Sequence, residues 1–441
     1  MKKKVLSGLL ALSMVASMAT GLATQDVYAS EQPELTIMHM WSDDMAEQNV
    51  AEAVAVRHAI DNFKEKHPEI KVVEEQVSQN AGYESKIKTL AAANELPDVF
   101  LALPSMMSMF YDNGQVTDLA PILEKDTEWY DSFSDGAFGD YNFGDTILGV
   151  PRCAIMNHVL YWNEDIFKKC GIEEFPKNST EMLNAVKALK DNGYIPMSCG
   201  NKGKYLIASQ IMPGILFKSA DKEWYEKVKN YDGASFEDQE VIEAITYLKD
   251  LMDAGLFNED VNSIDELQAR ENFYAGKAAM YVEGSWSVSG LISDCPKEII
   301  EHTNITVMPP MDGKEALDSQ IVTGQGWGFS LNSELSEEEQ GLAIEFLKEI
   351  TSPEIQAECV ENGLLSVLKE TPYDKEKLDP FYEEFLELYD SKEIRVGCPE
   401  VQLSVDYMDA SYTGYQELSV GNITPEELAK SLQEAHANAE W

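Results

Sequence analysis

The stretch Gly149–Gly171, GVPRCAIMNHVLYWNEDIFKKCG, predicts a strand, a turn and a short helix. Its Gly-Val-Pro opening is a pair of chain breakers around one apolar residue. Apolar, β-branched and aromatic residues then run over 155–162, which is typical of a buried strand. Asn163 ends this strand, residues 165–169 follow as a helix, and Gly171 stands where a left-handed C-terminal cap belongs. The unit lies between two regions that both alternate strands with helices.

The region before this unit predicts a layered α/β structure. Residues 35–40, LTIMHM, form an apolar strand. Val56, Ile60 and Phe63 are spaced as one face of a helix. Residues 97–101, PDVFL, give another strand. Such alternation favours a mostly parallel sheet with helices on both faces.

The region after the unit continues the same pattern. Residues 273–287, FYAGKAAMYVEGSWS, predict the end of a helix, a strand and a turn out of it. Two later helices carry clear start signals, namely Ser336 with Glu339, and Thr424 with Glu427 three positions on.

Composition limits the functional classes. The chain has 441 residues, 44% of them hydrophobic, which is enough for two domains with their own cores. Its net charge of −44 repels DNA, RNA and anionic lipid headgroups, so we expect no nucleic-acid partner. Six cysteines show neither a CxxC pair nor zinc spacing, and we expect most of them to be buried free thiols, with one pair at most forming a disulfide.

Residues 1–29 predict a cleaved signal peptide. Three lysines precede an apolar run over 5–22, and Val27-Tyr28-Ala29 fits the small-x-small cleavage rule, so the mature chain should begin near Ser30. An uncleaved membrane anchor is the alternative. We therefore expect an extracytoplasmic protein.

Several of these segments together carry a family resemblance. GVP…LYWNEDIFKKCG is similar to the signature yGvP…lyYNkdlFkkaGi, and AIDNFKEKHPEIKV is similar to FekenPgIkV. FYAGKAAMYVEGSWS likewise resembles F..GkaAM...GsW. These signatures are those of family 1 extracellular solute-binding proteins, the sugar-capturing subunits of ABC importers. The matches extend over essentially the whole mature chain.

The resemblance implies an α/β, two-lobed, periplasmic-binding-protein-like fold, each lobe a mostly parallel sheet flanked by helices, with hinge crossings between them. It places the first lobe at 32–150 plus 310–365 and the second at 151–309 plus 366–441. The ligand would be a mono- or oligosaccharide, delivered by a monomeric protein to the membrane permease. Many relatives carry a lipid-anchor cysteine at the cleavage site, but Gly21–Thr24 contains none.

Three tryptophans are candidate platforms for a sugar ring. A sugar has apolar C–H faces edged with hydroxyls, and a flat aromatic side chain packs against such a face. Trp286 and Trp327 stand beside glycines at the ends of apolar strands, and Trp41 ends the first strand. Open α/β sheets present ligands at such positions. Core packing is the alternative for each.

Five further residues are candidate polar or aromatic partners for the ligand, and they occupy loops at strand ends or the lobe junction. They are Asn80, Ser105, Arg152, Tyr205 and Glu283. Arg152 could donate to two hydroxyls or form a hinge ion pair in a very acidic protein. For the other four residues, the alternative is that the side chain only caps its own loop through hydrogen bonds.

No catalytic motif is present: we find no G-x-S-x-G elbow, HExxH, Walker loop or dinucleotide fingerprint. We expect no enzyme activity, cofactor or metal site. Two alternatives stay open, namely a secreted carbohydrate-active enzyme and the same fold with a non-sugar ligand.

Overall fold

The computed structural model describes residues 32–48, 50–78 and 80–438. The predicted signal peptide over 1–29 lies outside these residues. The strands in the described part are β1 (Glu34–His39), β2 (Lys71–Gln76), β3 (Val99–Ala102), β4 (Asn142–Phe143), β5 (Thr146–Ile147), β6 (Val150–Pro151), β7 (Ile155–Met156), β8 (Val159–Asn163), β9 (Ile195–Ser198), β10 (Ala278–Glu283), β11 (Thr303–Thr306), β12 (Gln320–Gly324), β13 (Gly328–Leu331) and β14 (Ile394–Gly397).

The helices connect and cover these strands. They are α1 (Asp43–Glu47), α2 (Ala51–Lys66), α3 (Asn80–Ala93), α4 (Met107–Asp112), α5 (Ala120–Leu123), α6 (Thr127–Ser132), α7 (Glu164–Lys169), α8 (Ser179–Asp191), α9 (Met212–Leu216), α10 (Lys222–Lys229), α11 (Gln239–Asp253), α12 (Glu266–Tyr274), α13 (Ser287–Asp294), α14 (Lys297–Ile300), α15 (Glu337–Ile350), α16 (Pro353–Glu361), α17 (Pro380–Ser391), α18 (Pro399–Gln402), α19 (Val405–Ser419) and α20 (Pro425–Ala437). None of the described helices is both long and apolar enough to cross a membrane.

The first lobe is built on a five-stranded sheet with the order β2-β1-β3-β13-β6. β1 pairs in parallel with β2 and β3, whereas β13 runs antiparallel to both β3 and β6. Four of the five strands therefore point the same way, as the alternation of strands and helices predicts. The core of this lobe contains large aromatic side chains such as Phe100, Phe110 and Phe346.

The second lobe has a four-stranded sheet with the order β11-β8-β10-β9. β10 pairs in parallel with β9, and β8 runs antiparallel to both of its neighbours. Two clusters of buried side chains cover its faces, one with Leu160 and Met280, the other with Tyr161 and Tyr281. Successive side chains of β8 and β10 point to opposite faces of the sheet, and both faces are covered. This explains why the sequences of these two strands are mainly apolar.

A third sheet, β14-β12-β7, lies where the chain passes between the lobes. The single strand expected over 155–162 is therefore two strands in different sheets. The break falls at Asn157 and His158, where the backbone N–H of Asn157 donates to the carbonyl of Val322, and the ring of His158 lies 2.7 Å from the carbonyl oxygen of Gln210. These polar contacts turn the chain from the hinge into the second lobe.

The predicted helix boundaries are confirmed where capping residues mark them. Ser336 and Glu339 form a reciprocal capping box at α15, and Thr424 and Glu427 form one at α20. Gly171 has a φ of +77°, a left-handed conformation that favours glycine and ends α7 as expected.

The lobe boundaries given above stay a prediction. Residues just after 310 contact the second lobe, since Met311 packs against its core and Lys314 donates to the carbonyl of Ser219. These contacts indicate that the chain returns from the second lobe to the first nearer to β12 than to residue 310.

Candidate functional site

One edge of the first sheet gathers four of the predicted site residues. The carboxyl ends of β1, β3 and β6 and the amino end of β13 meet at this edge, as their register shows. Trp41 follows β1, Ser105 follows β3, Arg152 follows β6, and Trp327 precedes β13. Residues far apart in the sequence therefore share one surface of the lobe.

The corresponding edge of the second sheet carries three more of the predicted site residues. The carboxyl ends of β9 and β10 lie beside the amino end of β8. Tyr205 begins the π-helix Leu206–Ile211 that follows β9, Glu283 ends β10, and Trp286 stands two residues beyond Gly284. Asn80, the remaining candidate, begins α3 after β2, and its side chain is not described.

The two edges face each other and touch. The turn Pro104–Met106 of the first lobe contacts α18 and α19 of the second. The Ser105 hydroxyl lies 3.7 Å from the sulfur of Met408, and Trp286 packs against the first-lobe core. The two edges that carry the seven placed candidates therefore meet where the lobes touch, with Ser105 and Trp286 in contact with the opposite lobe.

Trp41 and Arg152 form one unit on the first-lobe side. The guanidinium carbon of Arg152 lies 4.1 Å from the Trp41 ring centroid, a cation–π contact. The same guanidinium lies 3.9 Å from the carboxylate of Glu52, and its Nε has no hydrogen-bond partner. Both Trp41 and Arg152 are buried. One face of Trp41 is thus occupied by Arg152, and the predicted hinge ion pair exists within the first lobe.

Trp286 and Trp327 are half-buried at opposite edges of the cleft. The Trp286 ring folds back over Gly284, where a Cβ would lie only 2.1 Å from a ring carbon. Only glycine fits this close approach, so the Gly-Ser-Trp turn fixes the ring. Trp327 packs edge-on against Tyr83 with ring centroids 5.5 Å apart. Both rings keep surface that a ligand can use.

Glu283 is a buried carboxyl with weak local partners. It is 2% exposed, and its nearest donors are the Tyr281 hydroxyl at 3.4 Å and the Gly284 N–H at 3.3 Å. Burial, followed by the nearby charge of Glu266, raises the pKa of Glu283 to about 8. Burial, followed by the charges of Glu283 and Glu266, also raises the pKa of the Tyr205 hydroxyl. This side of the cleft can donate or accept hydrogen bonds.

The interface also contains polar residues that the sequence did not single out. The Gln402 amide on α18 donates to Asp140 Oδ1 at 2.6 Å, and the Gln325 N–H donates to Asp140 Oδ2 at 2.9 Å. Asp140 therefore links the first lobe, the hinge and the second lobe. Nothing local in the sequence marks Gln402, because its role depends on which helix reaches across the cleft.

Two other features lie apart from these candidates. Glu164, Asp165 and His302 offer ligand atoms within 4.8 Å of one another, but Lys168 already lies 2.6 Å from Glu164. A groove of about 490 Å³, lined partly by Phe175, Pro309 and Pro310, includes none of the predicted site residues.

Two carboxyls, the half-buried Glu84 and the buried Glu283, predict a pH-dependent stability. Burial raises the pKa of Glu283 to about 8 and that of Glu84 to about 7. A carboxyl whose pKa is higher in the folded state stabilises the fold below pH 4.5, and this stabilisation is lost as the pH rises through 7 to 8. We therefore expect Glu84→Gln/Glu283→Gln to match the wild type near pH 5 and to be the more stable protein at pH 8.

The measurement is the difference in unfolding free energy between the two proteins at each pH. Taking this difference cancels the contributions of groups that both proteins share. One of them is His158: burial lowers its pKa to about 4, so its contribution to stability changes with pH in the opposite direction. The exposed change Glu65→Gln on α2 is the control. A difference that stays constant from pH 5 to 8 would contradict the expectation.

Comparison with known proteins finds related binding proteins. A family model described as "Bacterial extracellular solute-binding protein" matches residues 44–357. The sn-glycerol-3-phosphate-binding periplasmic protein UgpB of Escherichia coli (strain K12) is 26% identical over 348 residues, covering 73% of this chain and 72% of UgpB. The UgpB of Brucella abortus (strain 2308) is 24% identical over 293 residues, covering 62% of each chain.

Solved structures share the fold. A chitin oligosaccharide binding protein superposes with a TM-score of 0.82 at 23% identity, covering 92% of this chain and 98% of its own. Maltose-bound MalE3 of T. maritima superposes with a TM-score of 0.72 at 18% identity, covering 92% and 99%. These similarities confirm a two-lobed α/β architecture.

Proposed function

The chain belongs to the bacterial extracellular solute-binding proteins, and from that premise we propose that it captures a carbohydrate between its lobes and delivers it to the permease of an ABC importer. The observation that carries this proposal is the placement of Trp286 and Trp327, both half-buried, at the facing edges of the two sheets. Two aromatic rings on opposite walls suit the two apolar faces of a sugar ring.

Lobe closure supplies the mechanism. A ligand that contacts both edges binds the closed arrangement better than an open one, so it shifts the population towards closure. The Asp140–Gln402 bond and the contact of Ser105 with Met408 join the two lobes and would stabilise the closed arrangement. The closed form is the one that would dock on the permease.

The charges around the cleft favour a neutral ligand over an anion. Glu84, Glu266, Glu283 and Glu400 contribute carboxyls there, and each has its pKa raised mainly by burial. An added phosphate would be repelled by any of them that ionise.

A phosphorylated polyol is the second candidate. The UgpB relatives bind sn-glycerol-3-phosphate by name, and the Arg152 guanidinium is buried with a free Nε. Its charge is already balanced by Glu52 at 3.9 Å, which makes it a poor phosphate site.

A thermal-shift panel tests the proposal. It includes maltotriose, xylotriose, cellotriose, N-acetylchitotriose and sn-glycerol 3-phosphate, each with the mature protein. We expect at least one sugar to raise the melting temperature by several degrees, since saturation at 100 times Kd adds about 2.7 kcal/mol of stability. Mass spectrometry of the recovered sugar should show it intact, because we propose no catalysis.

Two outcomes would contradict the proposal. A shift with sn-glycerol 3-phosphate alone would favour the second candidate. Cleavage of the sugar would favour a secreted carbohydrate-active enzyme. The same proposal includes export with removal of residues 1–29, which sequencing of the mature N-terminus tests. It also includes a monomeric state, which light scattering tests.

A further inference from the structure

One carboxylate joins three parts of the molecule. Asp140 lies on the short turn Gly139–Tyr141 of the first lobe. Its Oδ2 accepts a hydrogen bond from the backbone N–H of Gln325, just after the hinge strand β12, at 2.9 Å. Its Oδ1 accepts a hydrogen bond from the amide of Gln402, on α18 of the second lobe, at 2.6 Å. A movement of either lobe away from the other therefore has to break the bond to Gln402.

The backbone around this carboxylate leaves space for it. A Cβ on Gly324 would lie 2.8 Å from Asp140 Oδ2, and a Cβ on Gly397 would lie 2.0 Å from the amide oxygen of Gln402. Neither glycine has a positive φ, so each is required by the close approach of a side chain and not by the backbone conformation. These glycines end β12 and β14, the paired strands of the hinge sheet. The hinge thus admits both partners of the interlobe bond.

The same turn fixes the backbone that precedes Trp327. Tyr141 is fully buried, and its hydroxyl lies 2.7 Å from the carbonyl oxygen of Gly326. Asp140 holds Gln325, one residue earlier, through the backbone N–H. Both residues before Trp327 are therefore held by one dipeptide of the first lobe. The position of this half-buried ring at the cleft is tied to the residue that bonds the opposite lobe.

Resting on the proposed carbohydrate function, we propose that Asp140 is a positioning residue of the sugar site, which favours the closed arrangement before a ligand binds and holds the turn that presents Trp327. A hydrogen bond to an ionised carboxylate is stronger than one between neutral groups, so its loss shifts the balance between open and closed protein. Only the competent fraction of the protein binds, so a larger closed population in the ligand-free state raises the apparent affinity.

Small-angle X-ray scattering of the ligand-free mature protein tests the first part. We expect Asp140→Ala and Gln402→Met each to increase the radius of gyration, because each removes the bond between the lobes. Gly397→Ala should do the same without changing either partner, since the added Cβ displaces the Gln402 amide. Asp145→Ala is the control, an exposed change between β4 and β5 that should scatter like the wild type.

Asp140→Asn gives this test its specificity. The side-chain oxygen of asparagine can still accept from the Gln325 N–H, and its NH2 group can donate to Gln402 Oε1 once that amide has rotated. This oxygen is buried without a hydrogen-bond partner in the wild type. We therefore expect Asp140→Asn to scatter like the wild type. A residue that only stabilises its own turn would leave the radius of gyration unchanged in every variant.

Calorimetry tests the second part. Maltotriose, xylotriose, cellotriose and N-acetylchitotriose are each titrated into the wild type and the variants. For a sugar that binds the wild type, we expect Gln402→Met to lower the affinity about fivefold, because only the closed population changes. Asp140→Ala should lower it further, because it also releases the turn before Trp327. The sugar-saturated Gln402→Met protein should regain the radius of gyration of the saturated wild type, since the ligand itself favours closure.

The proposal is overturned if ligand-free Gln402→Met and Gly397→Ala scatter like the wild type, a result that can be obtained even if the Asp140 variants do not fold. It is also overturned if Asp140→Asn opens the lobes as far as Asp140→Ala. Equal losses of affinity for Asp140→Ala and Gln402→Met would overturn the link to Trp327. The scattering requires no sugar, so it is read separately from the carbohydrate function, which fails when no sugar shifts the melting temperature.

Discussion

Trp286→Ala is expected to weaken sugar binding at least about 100-fold, or about 2.7 kcal/mol, while the protein still folds. The ring is held over Gly284 and packs against the opposite lobe, so it contributes to both the ligand platform and closure. Truncation removes a flat apolar surface that no neighbouring side chain replaces. Isothermal calorimetry with the sugar identified by the thermal-shift panel measures the effect.

Trp162→Ala is the matched control. Trp162 is also half-buried and belongs to the same lobe, but it lies at the far end of β8 from the cleft, packed on Phe167 and Phe175. This change should lower stability and leave the affinity unaltered. Equal affinities for wild type and Trp286→Ala would rule out Trp286 as an anchor.

Lys218→Met is expected to lower the unfolding free energy by about 3 kcal/mol. Lys218 is 2% exposed and donates to the carbonyls of Leu317, Asp318 and Gln320 at 3.3, 2.7 and 2.7 Å. Methionine fills a similar volume but cannot donate to these three carbonyls, although that of Leu317 still accepts from the Gln320 N–H. Because they lead directly into β12, the change loosens the hinge strand as well as the second lobe.

Urea denaturation followed by circular dichroism checks this expectation, and Lys227→Met is the control. Lys227 pairs on the surface of α10 with Glu223 at 2.8 Å, and exposed pairs of this kind contribute little. A loss for Lys218→Met no larger than for the control would mean that water replaces the lysine at these carbonyls.

The strand-end residues of the site were accessible from the sequence. Gly284-Ser285-Trp286 and Gly326-Trp327-Gly328 stand at the ends of short apolar runs, and parallel sheets gather such ends at one edge. The local pattern therefore predicted where Trp286 lies. Trp327 precedes β13 and reaches the corresponding edge of its sheet only because β13 runs antiparallel to β3 and β6, which the local pattern does not encode. Whether either touches a ligand stays a prediction.

The residues that bridge the lobes were not accessible in this way. Asp140 and Gln402 carry no local sequence signal, and acidic residues are abundant in this chain. Their hydrogen bond of 2.6 Å depends on how α18 reaches the first lobe, which no local periodicity encodes. The break between β7 and β8 was missed for the same reason, since Asn157 turns the chain only because its partner is Val322 on β12.

The position of β13 has a consequence for the order in which the molecule assembles during synthesis. All four strands of the second sheet lie between residues 159 and 306, whereas the first sheet has a gap between β3 and β6 that only residues 328–331 can fill. The sheet nearest the N-terminus is thus completed after the second sheet, and an unfinished chain keeps two sheet edges open until residues 328–331 have emerged. The core of the second lobe then still awaits Leu418, Leu428 and Leu432 of α19 and α20.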